Sequence, residues 1–322
     1  MSEEMAAHPA MQNSDPIRVA YLAGTSHCGS TLLALLMNSH PQVASVGEVS
    51  PSLAIQRRDE LGFDCSCGQK VDACPFWQAV ARKVNSQGVP FSTQNWTNDY
   101  QYKLGMLGKT VREYSFHPLL QHAQRLAIRL PLYRRKIART DRANRAFMRA
   151  ILEQTGAGLF FDTTKLLLRL KHLLQVEGLD VRVVRMIRDV RAFAVSMRRK
   201  GYTLQRAAEH WKQFHLSADR LFKSHPHLKV FELRYEDLCS EPDSSLDRLG
   251  RFLDVGPFSP SRFIDPGEHH VLGNSMRLRG PLEVRLDEKW RTELHEDEQK
   301  AVVEVAGQTH RRLGYPDHVS VS

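Results

Sequence analysis

The clearest chemical pattern in the sequence is the octapeptide GTSHCGST at residues 24–31, which predicts a loop that holds an anion. An apolar run at 17–23 precedes it and a leucine-rich helical pattern follows it, so we expect a strand, a glycine turn and a helix. The glycine and threonine spacing matches the phosphate loop G-x-x-x-x-G-K-[ST], in which backbone N–H groups and a helix N-terminus bind the anion.

One position of this loop departs from the pattern of enzymes that cleave nucleoside triphosphates. Those enzymes need a lysine that contacts the β- and γ-phosphates, and this chain has Ser30 there. His27 is the only basic side chain in the loop, so we expect an anion of lower charge than a triphosphate. The candidate ligands are Gly24, Thr25, Ser26, His27, Cys28, Gly29, Ser30 and Thr31.

Charged residues also follow two further apolar runs that we predict to be buried strands. Glu48 follows the run at 43–46, and Asp162 and Lys165 follow the run at 158–161. Ligands of open parallel sheets bind at the carboxyl ends of the strands. Glu48 is therefore a candidate general base, Lys165 a candidate for neutralising charge on a transferring group, and Asp162 an orienting residue or alternative base. The plain alternatives are a capping or surface glutamate and a helix N-cap at Asp162.

Two other places supply candidate anion ligands. A further apolar run leads to Arg188, and Ser196 lies about two turns into the helix after it, so a guanidinium and a hydroxyl can approach one anion. Near the C-terminus, Gly273 permits close approach of the backbone and makes Asn274 and Arg277 candidates. The alternatives are a salt bridge between Arg188 and the aspartate beside it, and a turn carrying a surface arginine.

These residues need a scaffold, and the alternation of apolar runs with helical patterns predicts one. We expect an α/β fold of the three-layer P-loop type, in which helices flank a central parallel sheet whose last strand lies near 229–233. The 322 residues, 42% of them hydrophobic, suffice for one large domain, which we place at 17–318 after a flexible segment at 1–16.

The net charge of +9 favours anionic partners without choosing among nucleotides, nucleic acid, acidic acceptors and membrane surfaces. The polar N-terminus has no export signal, and no run approaches the roughly 20 apolar residues of a membrane span. We therefore expect a cytoplasmic protein with reduced thiols and no transmembrane segment.

Two segments are predicted to be additions to the sheet and its helices. The segment 63–77 contains Cys65, Cys67 and Cys74 but no fourth ligand, so we expect a packed loop with buried thiols and no metal. The segment from about 96 to 154 is the most basic part of the chain and has a helical pattern interrupted by Pro131. It is either a solvated helical insertion or a cover that attracts an acidic acceptor or a membrane surface.

In this order, the motifs resemble those of the P-loop sulfotransferases, which transfer a sulfonate from 3′-phosphoadenosine 5′-phosphosulfate (PAPS). Residues 24–31 look like the 5′-phosphosulfate loop, 188–196 like the 3′-phosphate motif and 162–165 like the D-S-S-K element. Residues 234–238, 273–277 and the cysteine pattern are similar to features of the bacterial and carbohydrate-type branches. The resemblance extends over most of the chain.

The resemblance implies in-line transfer from PAPS to a hydroxyl of a small-molecule, carbohydrate or lipid acceptor, with release of adenosine 3′,5′-bisphosphate (PAP) and no metal. The loop with Ser30 and Thr31 would hold the 5′-phosphate, and Arg188 with Ser196 the 3′-phosphate. The expected acceptors include anionic and lipid-linked molecules. The region between residues 74 and 154 would shape the acceptor pocket, but its sequence does not identify the acceptor.

The same resemblance ranks the catalytic candidates. Related bacterial members use a glutamate after the loop as the base, so Glu48 comes before Asp162, and Lys165 is assigned to the charge on the sulfonate and departing phosphate. The family's basic loop residue and serine are replaced here by His27 and Cys28. Either His27 donates a hydrogen bond to the bridging oxygen, so that activity falls as it deprotonates, or it is the base itself.

Three alternative functions follow from the same residues. A P-loop kinase for small molecules would need a lysine at position 30, which the chain lacks. A protein that binds nucleic acid through the basic segment would leave the loop unexplained, and that segment has few interleaved aromatics, so we expect no nucleic-acid partner. A sulfotransferase fold that binds nucleotide without catalysis would account for His27 and Cys28.

Overall fold

The computed structural model describes residues 15–49, 64–100, 130–258 and 263–317. Within these ranges, five parallel strands form the main sheet in the order β2-β3-β1-β4-β5, and an antiparallel pair lies near the C-terminus. The strands are β1 (Ile17–Gly24), β2 (Val43–Ala44), β3 (Leu159–Asp162), β4 (Leu179–Ile187), β5 (Val230–Arg234), β6 (Phe263–Ile264) and β7 (Leu282–Glu283).

Helices connect the strands and follow the last of them. They are α1 (Ser30–Met37), α2 (Pro75–Ser86), α3 (Pro131–Thr155), α4 (Leu167–Leu173), α5 (Val190–Arg198), α6 (Leu204–Lys223), α7 (Tyr235–Ser240), α8 (Pro242–Leu253), α9 (Trp290–Glu293), α10 (Glu296–Ala306) and α11 (Gln308–Arg312). Two short 3₁₀ turns lie at Pro266–Glu268 and Ser275–Leu278. No helix of the described ranges is long and apolar enough to cross a membrane.

Strand β1 shows how the sheet is buried on both faces. Val19 and Tyr21 point into the apolar cluster that α2, α3 and α4 cover, whereas Ala20 and Leu22 point into the cluster that α1, α7 and α8 cover. Successive side chains of a strand point to opposite faces, so a two-sided core requires a nearly continuous apolar run, which in β1 only Arg18 interrupts. The predicted three-layer α/β fold with a central parallel sheet is confirmed.

The basic segment predicted to be a helical insertion is helical from Pro131 onward and not helical at 96–100. Residues 97–98 form a turn, and Pro131 begins α3 because its missing N–H and fixed φ suit the first turn of a helix. The second half of α3 is a core helix, with Phe147 and Ile151 fully buried against the sheet. The remainder of the predicted insertion, 101–129, lies outside the described residues, as does most of the N-terminal segment.

A buried polar network fixes the end of β3. The Asp162 carboxylate is fully buried, and its Oδ2 accepts a hydrogen bond from Arg169 Nε at 2.7 Å. Arg169 also donates to Asn144 Oδ1 at 2.7 Å and to the carbonyl of Asn98 at 3.0 Å, so the network joins β3, α4, α3 and the turns after α2. Asp162 does not cap α4, which begins at Leu167 with no side-chain cap, and instead accepts from the N–H of Thr164 at 2.9 Å.

We predict that Asp162→Asn lowers the free energy of unfolding by about 3 kcal/mol, because it leaves the buried Arg169 guanidinium without its counterion. Asp180→Asn, at an exposed position of β4, is the matched control and should change stability by less than about 0.5 kcal/mol. Urea unfolding of the three proteins measures the difference, and equal stability of Asp162→Asn and wild type would contradict the structural role.

Candidate active site

The loop between β1 and α1 is shaped to bring its backbone close to a ligand. Gly29 precedes the helix with φ +98°, a conformation that favours glycine, and a Cβ there would lie 2.6 Å from the Tyr235 ring. A Cβ on Gly24 would lie 2.8 Å from Cys28 Sγ and 2.9 Å from the carbonyl oxygen of Met186. Both glycines are therefore required by close packing.

The N-terminus of α1 is left open among the described residues. No side chain caps α1, whereas the Asp189 side chain caps α5 by accepting from the N–H of Arg191. The first N–H groups of a helix have no partner within the helix and attract anions. The loop thus presents N–H groups that no side chain caps at the carboxyl edge of the sheet.

Two buried polar atoms beside this loop also have no hydrogen-bond partner in the part of the chain that the structure describes. They are Thr25 Oγ1 and Arg188 Nε, in side chains of residues that are 3% and 6% exposed. Leaving a buried polar atom without a partner costs about 1–3 kcal/mol. Each of these two groups can donate to a phosphate oxygen, and the donor set therefore fits a phosphate-bearing ligand.

Lys165, three residues after the end of β3, brings a positive charge to the loop. Its Nζ lies 2.9 Å from Ser30 Oγ, 2.5 Å from Glu48 Oε1 and 3.2 Å from the carbonyl oxygen of Thr163. Lys165 is only 9% exposed, and its φ of +71° is a conformation that costs a residue other than glycine about 1–3 kcal/mol. The structure therefore places the ammonium beside the serine that replaces the loop lysine.

Glu48 is held in position by the segment after residue 269. The N–H of Glu48 donates to the carbonyl of Leu272 at 3.3 Å, and the N–H of Leu272 donates to the carbonyl of Val46 at 2.8 Å. Gly47 permits this pairing, because a Cβ there would lie 1.9 Å from the Leu272 oxygen. The Glu48 side chain stays 30% exposed while it contacts Lys165, so it is accessible to a second molecule.

Arg188 is tied to the loop and to a residue that the sequence pattern did not indicate. Its guanidinium donates to the carbonyls of His27 at 2.9 Å and Asp287 at 3.0 Å, and it lies 4.2 Å from the centre of the Tyr235 ring. The Asp287 carboxylate is 3.3 Å away. Asp287 belongs to no motif, and Tyr235 was seen only as part of the segment 234–238.

The alternative reading of Arg188, a salt bridge with the aspartate beside it, is not what the structure shows. Asp189 pairs with Arg191 at 2.6 Å. Burial opposes the charge on Asp189, but neighbouring His310 and Arg191 outweigh it and lower the pKa of this carboxyl to about 2. Arg188 is therefore not neutralised by the aspartate beside it.

The other predicted anion ligands are bonded to protein groups. Ser196 Oγ donates to the carbonyl of Ala192, one turn earlier in its own helix, at 3.0 Å. Arg277 donates to the carbonyl of Asp64 at 2.7 Å and to that of Gly273 at 2.6 Å. The N–H of Asn274 donates to Thr31 Oγ1 at 3.3 Å. Asn274 and Arg277 thus hold the segment 273–277 against the loop and the cysteine segment.

The two unusual loop residues lie in different surroundings. His27 has φ +59° and is half-buried, and its carbonyl accepts the hydrogen bond from Arg188. Cys28 is fully buried, and burial raises the pKa of its thiol although the charge of Lys165 opposes this in part. Cys28 is therefore a neutral packing residue under the loop.

Related proteins are found both by a family model and among solved structures. The model of the sulfotransferase family matches residues 20–260. Among solved structures, the sulfotransferase domain of the Synechococcus PCC 7002 olefin synthase is 16% identical with a TM-score of 0.47 and covers 94% of this chain and 96% of its own. The sulfotransferase domain from the curacin biosynthetic pathway is 16% identical with a TM-score of 0.46 and covers 94% and 98%.

No curated protein matches this chain. The two structural likenesses are distant, so the assignment rests on the family match, which covers well over half of the sequence. The chain belongs to the sulfotransferase family.

Proposed function

We propose that the protein transfers a sulfonate from PAPS to a hydroxyl group of an acceptor and releases PAP. The observation that carries the proposal is the position of Lys165 Nζ, which contacts both Ser30 of the open loop and the carboxylate of Glu48. This contact joins a site for the donor's phosphate, a cation and a candidate base within one hydrogen-bonded group.

The donor would occupy the loop and the groove beside it. The N–H groups at the start of α1, Ser30 and Thr31 would hold the 5′-phosphate, with Thr25 Oγ1 as an additional donor. Arg188 and Ser196 would bind the 3′-phosphate, to which a guanidinium fork is well suited. A phosphosulfate carries less charge than a triphosphate, and Lys165, from the turn after β3, supplies the cation that the loop itself lacks.

The reaction would be an in-line displacement at sulfur. The acceptor oxygen forms a bond to sulfur while the bond from sulfur to the bridging oxygen of the donor breaks, and the electron pair of that bond stays on the departing phosphate. Glu48 takes the proton of the acceptor hydroxyl. Lys165 moves from Glu48 toward the bridging oxygen and stabilises its developing charge, with His27 as a second donor.

This assignment separates the two carboxylates near Lys165. Glu48 is partly exposed at the sheet edge, whereas Asp162 is buried and bonded to Arg169. A base must reach the acceptor hydroxyl, and of the two only Glu48 is accessible to it. We therefore propose Glu48 as the base.

We predict that the protein binds PAP selectively over ATP with Mg²⁺ and that Arg188→Ala weakens PAP binding at least about tenfold, through loss of a charge-assisted hydrogen bond. Calorimetric titration measures both. The matched control is Arg199→Ala, at an exposed arginine that pairs with Glu293, and it should bind PAP like wild type.

Two results of this titration would contradict the donor site. Preference for ATP with Mg²⁺ would point to the kinase alternative. Unchanged PAP affinity in Arg188→Ala would show that the 3′-phosphate is bound elsewhere.

We also predict that Glu48→Gln slows sulfonate transfer by at least about 100-fold, because an amide cannot take the acceptor proton, while PAP affinity stays within a few fold. Transfer is followed with radiolabelled PAPS, after alcohols of carbohydrate, lipid and small-metabolite types have been screened for an acceptor. Glu153→Gln, at an exposed glutamate of α3, is the control.

Transfer by Glu48→Gln at the wild-type rate would remove Glu48 from the chemistry. The wild-type protein could instead bind PAP, transfer sulfonate to no acceptor and leave PAPS intact after prolonged incubation. That result would favour a sulfotransferase fold that binds nucleotide without catalysis.

A further inference from the structure

Four potential metal ligands from two distant parts of the chain meet beside the candidate active site. They are the Sγ atoms of Cys65, Cys67 and Cys74 and the Nδ1 atom of His270, and all four lie within 4.8 Å of one another. His270 is 196 residues beyond Cys74, which is why the cysteine segment by itself lacked a fourth ligand.

The spacing of the four atoms fits a single tetrahedral ion. Cys67 Sγ lies 3.6 Å from Cys74 Sγ, and His270 Nδ1 lies 3.5 Å from Cys65 Sγ and 3.4 Å from Cys74 Sγ. Zinc bonds of about 2.3 Å to sulfur and 2.0–2.1 Å to nitrogen place tetrahedral ligands about 3.8 Å apart for two sulfurs and about 3.5 Å apart for sulfur and nitrogen. Three of the six separations among the donor atoms are already close to those that zinc requires, and the remaining pairs lie within 4.8 Å.

We infer that Cys65, Cys67, Cys74 and His270 bind one Zn²⁺ ion as a structural site. Three thiolates and a neutral imidazole are a donor set typical of structural zinc, and four protein ligands leave no position open for substrate. A disulfide does not account for the cluster, because all three cysteines are free and a sulfur separation of 3.6 Å is far beyond the bond length of about 2.05 Å.

The residues around the ligands hold them in place. Ser66 lies between two ligand cysteines, and its Oγ donates to the carbonyl of His269 at 2.6 Å and accepts from the N–H of Val271 at 2.9 Å. These bonds fix the backbone on both sides of His270. The ring of Phe76 stacks on the His270 imidazole at 4.3 Å, which sets the plane in which Nδ1 points.

The site connects the cysteine segment to the wall of the candidate active site. Two residues after His270, Leu272 pairs with the backbone of Glu48, and the segment then continues to Arg277, which donates to the carbonyl of Asp64. Three thiolates and Zn²⁺ carry a net charge of about −1, and the nearby Arg277 guanidinium offsets it. The ion therefore clamps the 269–277 segment in the position that holds Glu48.

The test is the metal content of the full-length protein, purified without chelators or a metal-affinity step and measured by mass spectrometry. We expect about one zinc per chain in wild type and less than about 0.1 in His270→Ala and Cys67→Ser. The matched controls are His269→Ala, beside the ligand, and Cys239→Ser, at a free cysteine outside the cluster, and both should keep the ion.

A second measurement on wild type covers the case in which the ligand variants do not fold. Removal of zinc with a chelator should lower the melting temperature by several degrees, and added Zn²⁺ should restore it. Added Co²⁺ should give the intense visible absorption of tetrahedral cobalt thiolate. Neither readout depends on the donor or the acceptor of the proposed reaction.

Three results would overturn the inference. In the first, the wild-type protein contains no zinc and shows no cobalt thiolate absorption. In the second, the zinc content is unchanged in His270→Ala. In the third, the chelator leaves the melting temperature of the wild-type protein unaltered.

Discussion

The candidate site depends on one buried ammonium group. Lys165 Nζ is shared by Ser30 Oγ, Glu48 Oε1 and a backbone carbonyl, and the residue is held in a left-handed conformation. A buried charge is tolerated only when it is paired and hydrogen-bonded, so the loop, the glutamate and the lysine require one another. The sheet makes this possible, because β3 lies between β2 and β1 and all three strands end at one edge.

The segment 269–277 is the second support of the site. It pairs with Glu48 through Leu272, bonds to Thr31 through Asn274 and reaches the cysteine segment through Arg277. The zinc site that we infer would fix the start of this segment. The stability of the segment and the position of Glu48 would then be coupled, because a shift of Leu272 moves the backbone of Glu48 with it.

The sequence was sufficient to predict the strands of the main sheet and the residues at their ends, because buried parallel strands are mostly apolar runs and the polar residues after them are conspicuous. It did not predict the strand order, and so it did not show that Lys165 meets Ser30. It also left Asp162 open as an alternative base to Glu48, because the burial of Asp162 depends on its pairing with Arg169, seven residues further along the chain. Asp287 and His270 escaped notice for a similar reason, since each acts through a tertiary contact with a residue far away in the chain.

The most direct test of the central claim, that Lys165 serves the phosphate end of a sulfonate donor, is a crystal structure of the full-length protein with PAP. The account predicts the 5′-phosphate at the N-terminus of α1, with Lys165 Nζ within about 3.2 Å of a phosphate oxygen and the Glu48 carboxylate facing the open side of the site. A nucleotide bound away from the loop, or a 5′-phosphate beyond hydrogen-bond distance of Lys165, would contradict it.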